Sequence, residues 1–229
     1  MTDTAPRTPR PTMPVPTSTD TAQSYWEGFY RGWEPPADWV ARANPLFVRE
    51  AGALPAGTAL DLGCGAGGDA IWLAERGWRV TAVDVSATVL RRAAAAAAEA
   101  GVADGIEWQE HDLSRSFPDG VFDLVSAQFL HSPVAGVGER EAILASAAAA
   151  VGPGGTLLVI SHAGWPSWFE EPPLDFRLPT NAEVLSVLEA GPGEWAVDTD
   201  EVLTRELTGP TGEVGTRDDA VLRVSRLPH

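Results

Sequence analysis

The stretch Leu60-Asp61-Leu62-Gly63-Cys64-Gly65-Ala66-Gly67-Gly68 decides how this chain is read. It ends an apolar run, TALDLG over 58–63, with the composition of a buried strand. Glycines at 63, 65 and 67 follow, where a strand must turn sharply into a helix. Side chains at those positions would keep backbone away from a ligand. Gly63, Gly65 and Gly68 also satisfy G-x-G-x-x-G, a spacing that dinucleotide sites share, so the glycines alone leave the ligand open.

Downstream, strand and helix signals alternate. Residues 68–76 are helical and stop at Gly77, RVTAVDV (79–85) is a strand, and Ser86 caps an alanine-rich helix that ends at Gly101. GIEWQ (105–109) and VFDLVSA (121–127) are strands, 139–151 is a helix, and Pro153-Gly154-Gly155 introduces the strand TLLVIS (156–161). This alternation implies an α/β fold with a parallel sheet and helices on both faces. The end differs: a helix over 180–190, capped by Thr180 or Asn181, precedes β-rich runs at 195–207 and 219–227 joined through GPTGEVG (209–215). Those two runs predict an antiparallel hairpin at one sheet edge.

Upstream, SYWEGFYRGW (24–33) holds five aromatic residues in ten, and a short helix is expected from Asp38, as N-cap, to Ala53. Residues 21–54 are read as a helical lid, with simple helix–helix contact as the alternative. Residues 1–20, rich in Pro and Thr, are expected to be a disordered tail on a single domain spanning 21–229. They lack the apolar core of a signal peptide, which points to a cytoplasmic protein.

Composition narrows the function. The chain has 229 residues, enough for one sizeable core. Its 32 acidic and 16 basic residues give a formal net charge of −16, which opposes a nucleic-acid partner. Every basic residue is arginine, so Schiff-base and P-loop lysine chemistry are excluded. One cysteine, Cys64, excludes an internal disulfide framework and a multi-cysteine zinc site, and no metal is expected. No apolar run reaches the roughly 18 residues of a membrane span, so no membrane partner is expected.

The acids decide among ligands. Asp61 lies two residues before the first glycine, at the carboxyl end of its strand. A carboxylate is awkward beside a pyrophosphate, which wants donors and positive field, but it suits an ammonium and a sulfonium. Asp84 ends the second strand, where it can accept from both hydroxyls of a ribose. Asp112 follows the third, where it can accept from an adenine amino group while Leu113 packs on the ring. Each alone reads equally as a cap or a solvated loop acid. Three in order after three consecutive strands fall where α/β sheets bind ligands.

These residues resemble the class I S-adenosylmethionine-dependent methyltransferases over roughly 25–227. Asp61-Leu62-Gly63-Cys64-Gly65-Ala66-Gly67 matches their first motif, Asp84 with Val85 the ribose site, Asp112-Leu113 the adenine side, and Gly152-Pro153-Gly154-Gly155 the turn before their fifth strand. The resemblance implies a Rossmann-like seven-stranded sheet of order 3-2-1-4-5-7-6 with the last strand antiparallel. It implies S-adenosylmethionine as cofactor and a small-molecule methyl acceptor, in a monomer or homodimer. Within the class the chain looks most like the tellurite-resistance and thiopurine methyltransferase group, through its aromatic N-terminal stretch, GGDAIWLAERGWRVTAVDVS (67–86), and its compact ending. It departs from the tellurite-resistance pattern in lacking a late histidine–arginine pair: 204–212 holds Arg205 and no histidine.

The resemblance places the methionine part of the cofactor near Gln128 and turns Gln128-Phe129-Leu130-His131 toward the methyl group. Trp26 and Tyr30 would close on the cofactor. His131 and His162 are the candidate bases, His131 for a pKa expected in the neutral range, each with a turn-capping role as the alternative. The irregular run 162–179 is read as a substrate loop, with Phe129, Trp165, Trp168 and Arg177 in the substrate pocket and a second small core as the alternative. Arg31 is a second candidate for orienting an anion. No Asn/Asp-Pro-Pro-Tyr/Phe motif follows the fourth strand, which argues against amino methylation of DNA adenine or protein glutamine. The acceptor is expected to be a thiol or other soft nucleophile, or a specialised metabolite. The competing readings are an NAD(P)-dependent oxidoreductase on a related sheet and a non-catalytic cofactor-binding module.

Overall fold

The computed structural model describes residues 13–35, 39–171, 177–191, 194–209 and 212–228. The strands are β1 (Thr58–Leu62), β2 (Arg79–Asp84), β3 (Ile106–Glu110), β4 (Phe122–Gln128), β5 (Val151–His162), β6 (Trp195–Thr208) and β7 (Val214–Arg226). They form one sheet in the order β3-β2-β1-β4-β5-β7-β6. β7 runs antiparallel to both β5 and β6, and the other pairings are parallel. The order and the antiparallel strand are those the resemblance implies.

The helices are α1 (Ala22–Gly32), α2 (Pro45–Ala51), α3 (Gly68–Ala74), α4 (Ala87–Glu99), α5 (Glu139–Ala149) and α6 (Asn181–Ala190). Because side chains alternate along a strand, β1, β4 and β5 bury both faces. Leu60, Leu62, Val125 and Leu157 pack with Leu144 and Ala147 of α5 and Val184 and Leu188 of α6. Ala59, Leu124, Leu158 and Ile160 pack on the other face with Phe47 of α2, Leu73 of α3 and Ala97 of α4. No helix among the described residues is long and apolar enough to cross a membrane.

Three elements depart from the sequence expectation. The helix expected over 38–53 starts at Pro45: residues 39–44 are not helical, and Asn44, not Asp38, accepts from the Leu46 N–H. Position 38 itself lies outside the described residues, as does most of the expected tail, 1–12. The tail's last part is folded back, with the Tyr25 hydroxyl donating to the Pro14 carbonyl at 2.7 Å. β5 begins at Val151 instead of 156, because Val151 pairs with Phe122 across a bulge. β7 begins at Val214 instead of 219, so the final hairpin continues through Glu206↔Thr216 to Thr208↔Val214, past the end of β5 at His162.

A buried carboxylate ties α2 to that hairpin. Glu50, 5% exposed, accepts from the Thr199 hydroxyl at 2.9 Å and lies 3.3 Å from Arg223, which also donates to the Glu50 carbonyl. Removing one partner of a buried pair leaves the other desolvated and uncompensated, and Arg223 is partly exposed, which softens the loss. Glu50→Ala is expected to lower stability by about 2–3 kcal/mol, read as the shift of the urea midpoint. An unchanged midpoint would show that the pair ties nothing.

Candidate active site

The turn after β1 brings four carboxylates together. Gly63, Gly65 and Gly67 have φ of 67°, 53° and 80°, the left-handed region that side chains resist. Asp84 closes the turn: its Oδ2 accepts from Gly65 N–H and its Oδ1 from Ser86 N–H, each at 3.0 Å. Burial pushes its carboxyl up to about 6 against those hydrogen bonds. Asp61 is 2% exposed and its Oδ2 has no hydrogen-bond partner among the described residues. Burial first, then the neighbouring Asp69 charge, raises it well above the ordinary range. Asp69, in the first turn of α3, accepts from Asn44 N–H at 2.7 Å and from Gln128 Nε2 at 2.8 Å.

The fourth carboxylate belongs to α1. Glu27 accepts from the Ser86 hydroxyl at 2.6 Å and from the Thr88 N–H and hydroxyl at 3.1 and 2.6 Å, at the N-terminus of α4. Burial raises its carboxyl, but these hydrogen bonds outweigh that and hold it at about 2. Arg92 of α4 donates to the Tyr30 and Trp33 carbonyls at the other end of α1. The helix therefore lies across the glycine turn, where a Cβ on Gly65 would come within 3.2 Å of the Tyr30 hydroxyl. Trp26 Nε1 donates to Ser132 Oγ at 3.1 Å, joining α1 to the segment after β4.

The second half of the site lies at the carboxyl ends of β4 and β5. Phe129 leaves β4 with φ of 51°, a conformation costing roughly 1–2 kcal/mol for a residue with a Cβ. Its ring stacks on His162 at 4.2 Å, and His131 lies 5.0 Å from His162. His162 Nδ1 is 3.0 Å from Asp219 Oδ1. Arg205 and Arg217 also donate to Asp219, which is fully buried. Burial raises the Asp219 carboxyl, but bonds from His162 and Arg217 reverse this and hold it at about 2. An ionised Asp219 accepts the proton on Nδ1, which makes Nε2 the basic nitrogen of His162.

Several expected site residues sit otherwise than the sequence suggests. Burial, reinforced by the fields of His162 and Arg140, pushes His131 down to about 3, outside the neutral range expected for a base. Asp112 folds into its own turn, accepting from the Ser114 N–H and hydroxyl at 3.1 and 2.6 Å, with Arg115 at 3.3 Å. Leu113 is half-buried and packs against the core. The Gln128 side chain is held by Asn44, Asp69 and Ser126. Arg177 is 80% exposed and pairs with Glu183 in the first turn of α6. Arg31 pairs with Glu27. Trp168 lies against Gly209 and Gly215 of the final hairpin, while Trp165 is half-buried. Val85 follows Asp84, half-buried. Glu27, Asn44, Asp69, Asp219 and Arg217 escape a sequence reading. A signal existed only for Arg217 and Asp219, whose two-residue spacing in a strand puts them on one face.

The glycine turn fits the cofactor that the resemblance implies. A buried carboxylate oxygen without a partner, beside Asp69 and Asp84, is a place for a cationic ligand, and no group of His, Cys, Asp or Glu among the described residues could hold a metal ion. Ribose hydroxyls make charge-assisted hydrogen bonds to Asp84 only when it is ionised, and weaker ones to its protonated form. S-adenosylhomocysteine binding, followed by calorimetry, is therefore expected to be constant above about pH 7 and to weaken up to tenfold per unit below about pH 6. Asp84→Asn is expected to bind weakly at every pH. A wild-type affinity that does not change between pH 5 and 8 would remove Asp84 from the ribose.

Known proteins place this arrangement. Residues 59–155 match the family model described as a methyltransferase domain. No curated protein matches the sequence. Among solved structures, one described for the conversion of a disulfide bond into a thioacetal group during echinomycin biosynthesis is 21% identical, covering 90% of this chain and 92% of its own, with a TM-score of 0.67. TehB from Haemophilus influenzae is 16% identical, covering 90% of this chain and 67% of its own, with a TM-score of 0.66. Magnesium protoporphyrin IX methyltransferase from Synechocystis PCC 6803, with bound S-adenosylmethionine, is 20% identical over 79% of this chain and 74% of its own, with a TM-score of 0.56. At these identities the likeness is one of fold. The family match runs from β1 into β5 and so takes in the glycine turn with Asp61, Asp69 and Asp84: residues 59–155 carry a methyltransferase domain, on a sheet whose fold is shared with S-adenosylmethionine-dependent methyltransferases.

Proposed function

We propose that this methyltransferase acts on a small-molecule acceptor that must lose a proton, a thiol or other soft nucleophile or the protic group of a specialised metabolite, and that His162 takes that proton. The observation that carries this reading is the His162–Asp219 contact at 3.0 Å. A buried, ionised carboxylate fixes the imidazole's tautomer and stabilises the imidazolium that forms. Stacking on Phe129 fixes the plane of the ring. The bound cofactor supplies a methyl group already activated on a sulfonium. What remains for the chain is to hold the acceptor in line and exclude water. α1 serves as the lid over the glycine turn, latched by Glu27 and Arg92; of the expected substrate loop 162–179, residues 172–176 lie outside the described residues, and 162–171 lead away from His162 toward the final hairpin.

Likeness to the tellurite-resistance group supports a soft acceptor. The late histidine–arginine pair missing from the linear sequence has a spatial counterpart here, because Arg205 and His162 both bind Asp219. The echinomycin structure, whose described reaction concerns sulfur, supports the same choice. His131, held at about 3, stays neutral throughout the working range and is read as a packing and polar neighbour of the acceptor, not the base.

His162→Asn is expected to leave S-adenosylhomocysteine affinity unchanged. It is expected to slow methylation of a thiol panel by roughly 10²–10⁴-fold near pH 6.5. Much of that rate is expected to return as pH rises past the thiols' own pKa of about 8.5, where the nucleophile ionises unaided. A variant as fast as wild type at every pH would remove His162 as the base.

A further inference from the structure

Strand geometry gathers an unusual set of charges beside His162. His162 is in register with Asp219, Leu203 with Asp219, and Arg205 with Arg217. Side chains repeat every two residues, so Leu203, Arg205, Arg217, Asp219 and His162 share one sheet face. Asp218 belongs to the opposite face, where it accepts from the Thr204 hydroxyl. On the shared face Asp219 is the one carboxylate among these groups, and two guanidiniums bind it. A third, Arg140 of α5, acts on His131 from the side and donates to two neutral oxygens, the Leu130 carbonyl and Ser161 Oγ. In a chain of net charge −16, this corner of the site carries surplus positive charge.

The guanidiniums also keep donors in hand. Arg205 reaches Asp219 through one terminal nitrogen at 3.0 Å, and its other N–H groups have no partner among the described residues. Arg217 uses Nε and one terminal nitrogen on Asp219, at 2.9 and 3.2 Å, and lies over the Phe129 ring. Both side chains and that of His162 are between 21% and 24% exposed, while Asp219 is wholly buried. Solvent, or a ligand, therefore meets the cationic edges and not the carboxylate.

We infer that Arg205 and Arg217 form an anion-accepting subsite, and that the methyl acceptor carries a carboxylate or a comparable oxyanion that docks there with its nucleophile at His162. The inference rests on the reading of His162 as facing the acceptor. A guanidinium fork matches a planar oxyanion in two hydrogen bonds, which orients as well as binds it. The same charges repel a cationic amine, so the subsite also selects against acceptors that are protonated at neutral pH.

The test uses the full chain first saturated with S-adenosylhomocysteine. That first titration checks the methyltransferase site by itself, so its failure is distinct from failure of the subsite. Calorimetry then compares 3-phenylpropionate, 3-phenylpropanol and 3-phenylpropylamine, three probes of one shape and different charge. The carboxylate is expected to bind at least about tenfold tighter than the alcohol, with the amine weakest, and only the carboxylate should weaken with added salt. Arg205→Gln is expected to bring the carboxylate to the alcohol's affinity while S-adenosylhomocysteine still binds. Arg205→Lys, which keeps the charge and loses the fork, should fall between the two. Equal binding of carboxylate and alcohol, tightest binding of the amine, or a preference untouched in both variants would each overturn the subsite.

Discussion

Asp61, Asp69 and Asp84 crowd around one glycine turn, and much of the molecule is arranged to keep them there. Like charges at short range in a buried setting repel strongly, and burial itself disfavours each ionised form. Their hydrogen bonds come from neutral groups: Gly65 and Ser86 N–H to Asp84, Asn44 N–H and Gln128 Nε2 to Asp69. The arrangement costs stability in the protein alone. It becomes favourable when a ligand brings an ammonium, a sulfonium and hydroxyl donors, which are the polar parts of S-adenosylmethionine. A pyrophosphate in the same place would add negative charge to negative charge, which disposes of the dinucleotide reading that the glycine spacing leaves open.

The same turn is tied to α1. Ser86 donates its N–H to Asp84 and its hydroxyl to Glu27, so one residue touches both the carboxylate that closes the turn and α1. Glu27 in turn caps α4, satisfying N–H and hydroxyl donors at a helix N-terminus. At the far side of the sheet, the antiparallel β7 brings Asp219 into register with His162. The fold thus supplies two charge environments a few strands apart. One is acidic and suits a cationic donor. The other, around Asp219, gathers His162 and two guanidiniums.

Much of this was legible in the residues. Alternating apolar runs and glycine stops gave the parallel sheet, because β1, β4 and β5 are buried on both faces and read as continuous apolar strands. The hairpin was legible too, but not its length: Val214-Gly215-Thr216-Arg217-Asp218 is polar and glycine-containing, and reads as turn until its pairing with β6 is seen. The helix expected over 38–53 starts instead at Pro45, because Asn44 supplies its cap, and only the chain path reveals that. Asp61 and Asp84 follow from position alone, since a strand's end fixes where its side chain stands. The local bonds of Asp112 to Ser114 and Arg115 do not follow in that way, because no strand pattern reveals them. The His162–Asp219–Arg205–Arg217 cluster draws on three strands and depends on register, which a linear reading does not contain. His131's low pKa follows from burial beside His162 and Arg140, also invisible in one dimension.

A cationic amino-acid group, and not phosphate, is what the carboxylates of the glycine turn suit. Calorimetry with S-adenosylhomocysteine, 5′-methylthioadenosine and NAD on the same protein at pH 7.5 tests it. The first two share the adenosine, and only the first carries the ammonium that faces the carboxylates. Each charge-assisted hydrogen bond is worth about 1.5–3 kcal/mol, so loss of the amino-acid part is expected to weaken binding by roughly tenfold to a hundredfold or more, with no binding of NAD. Methylthioadenosine as tight as S-adenosylhomocysteine, or NAD bound at all, would contradict it.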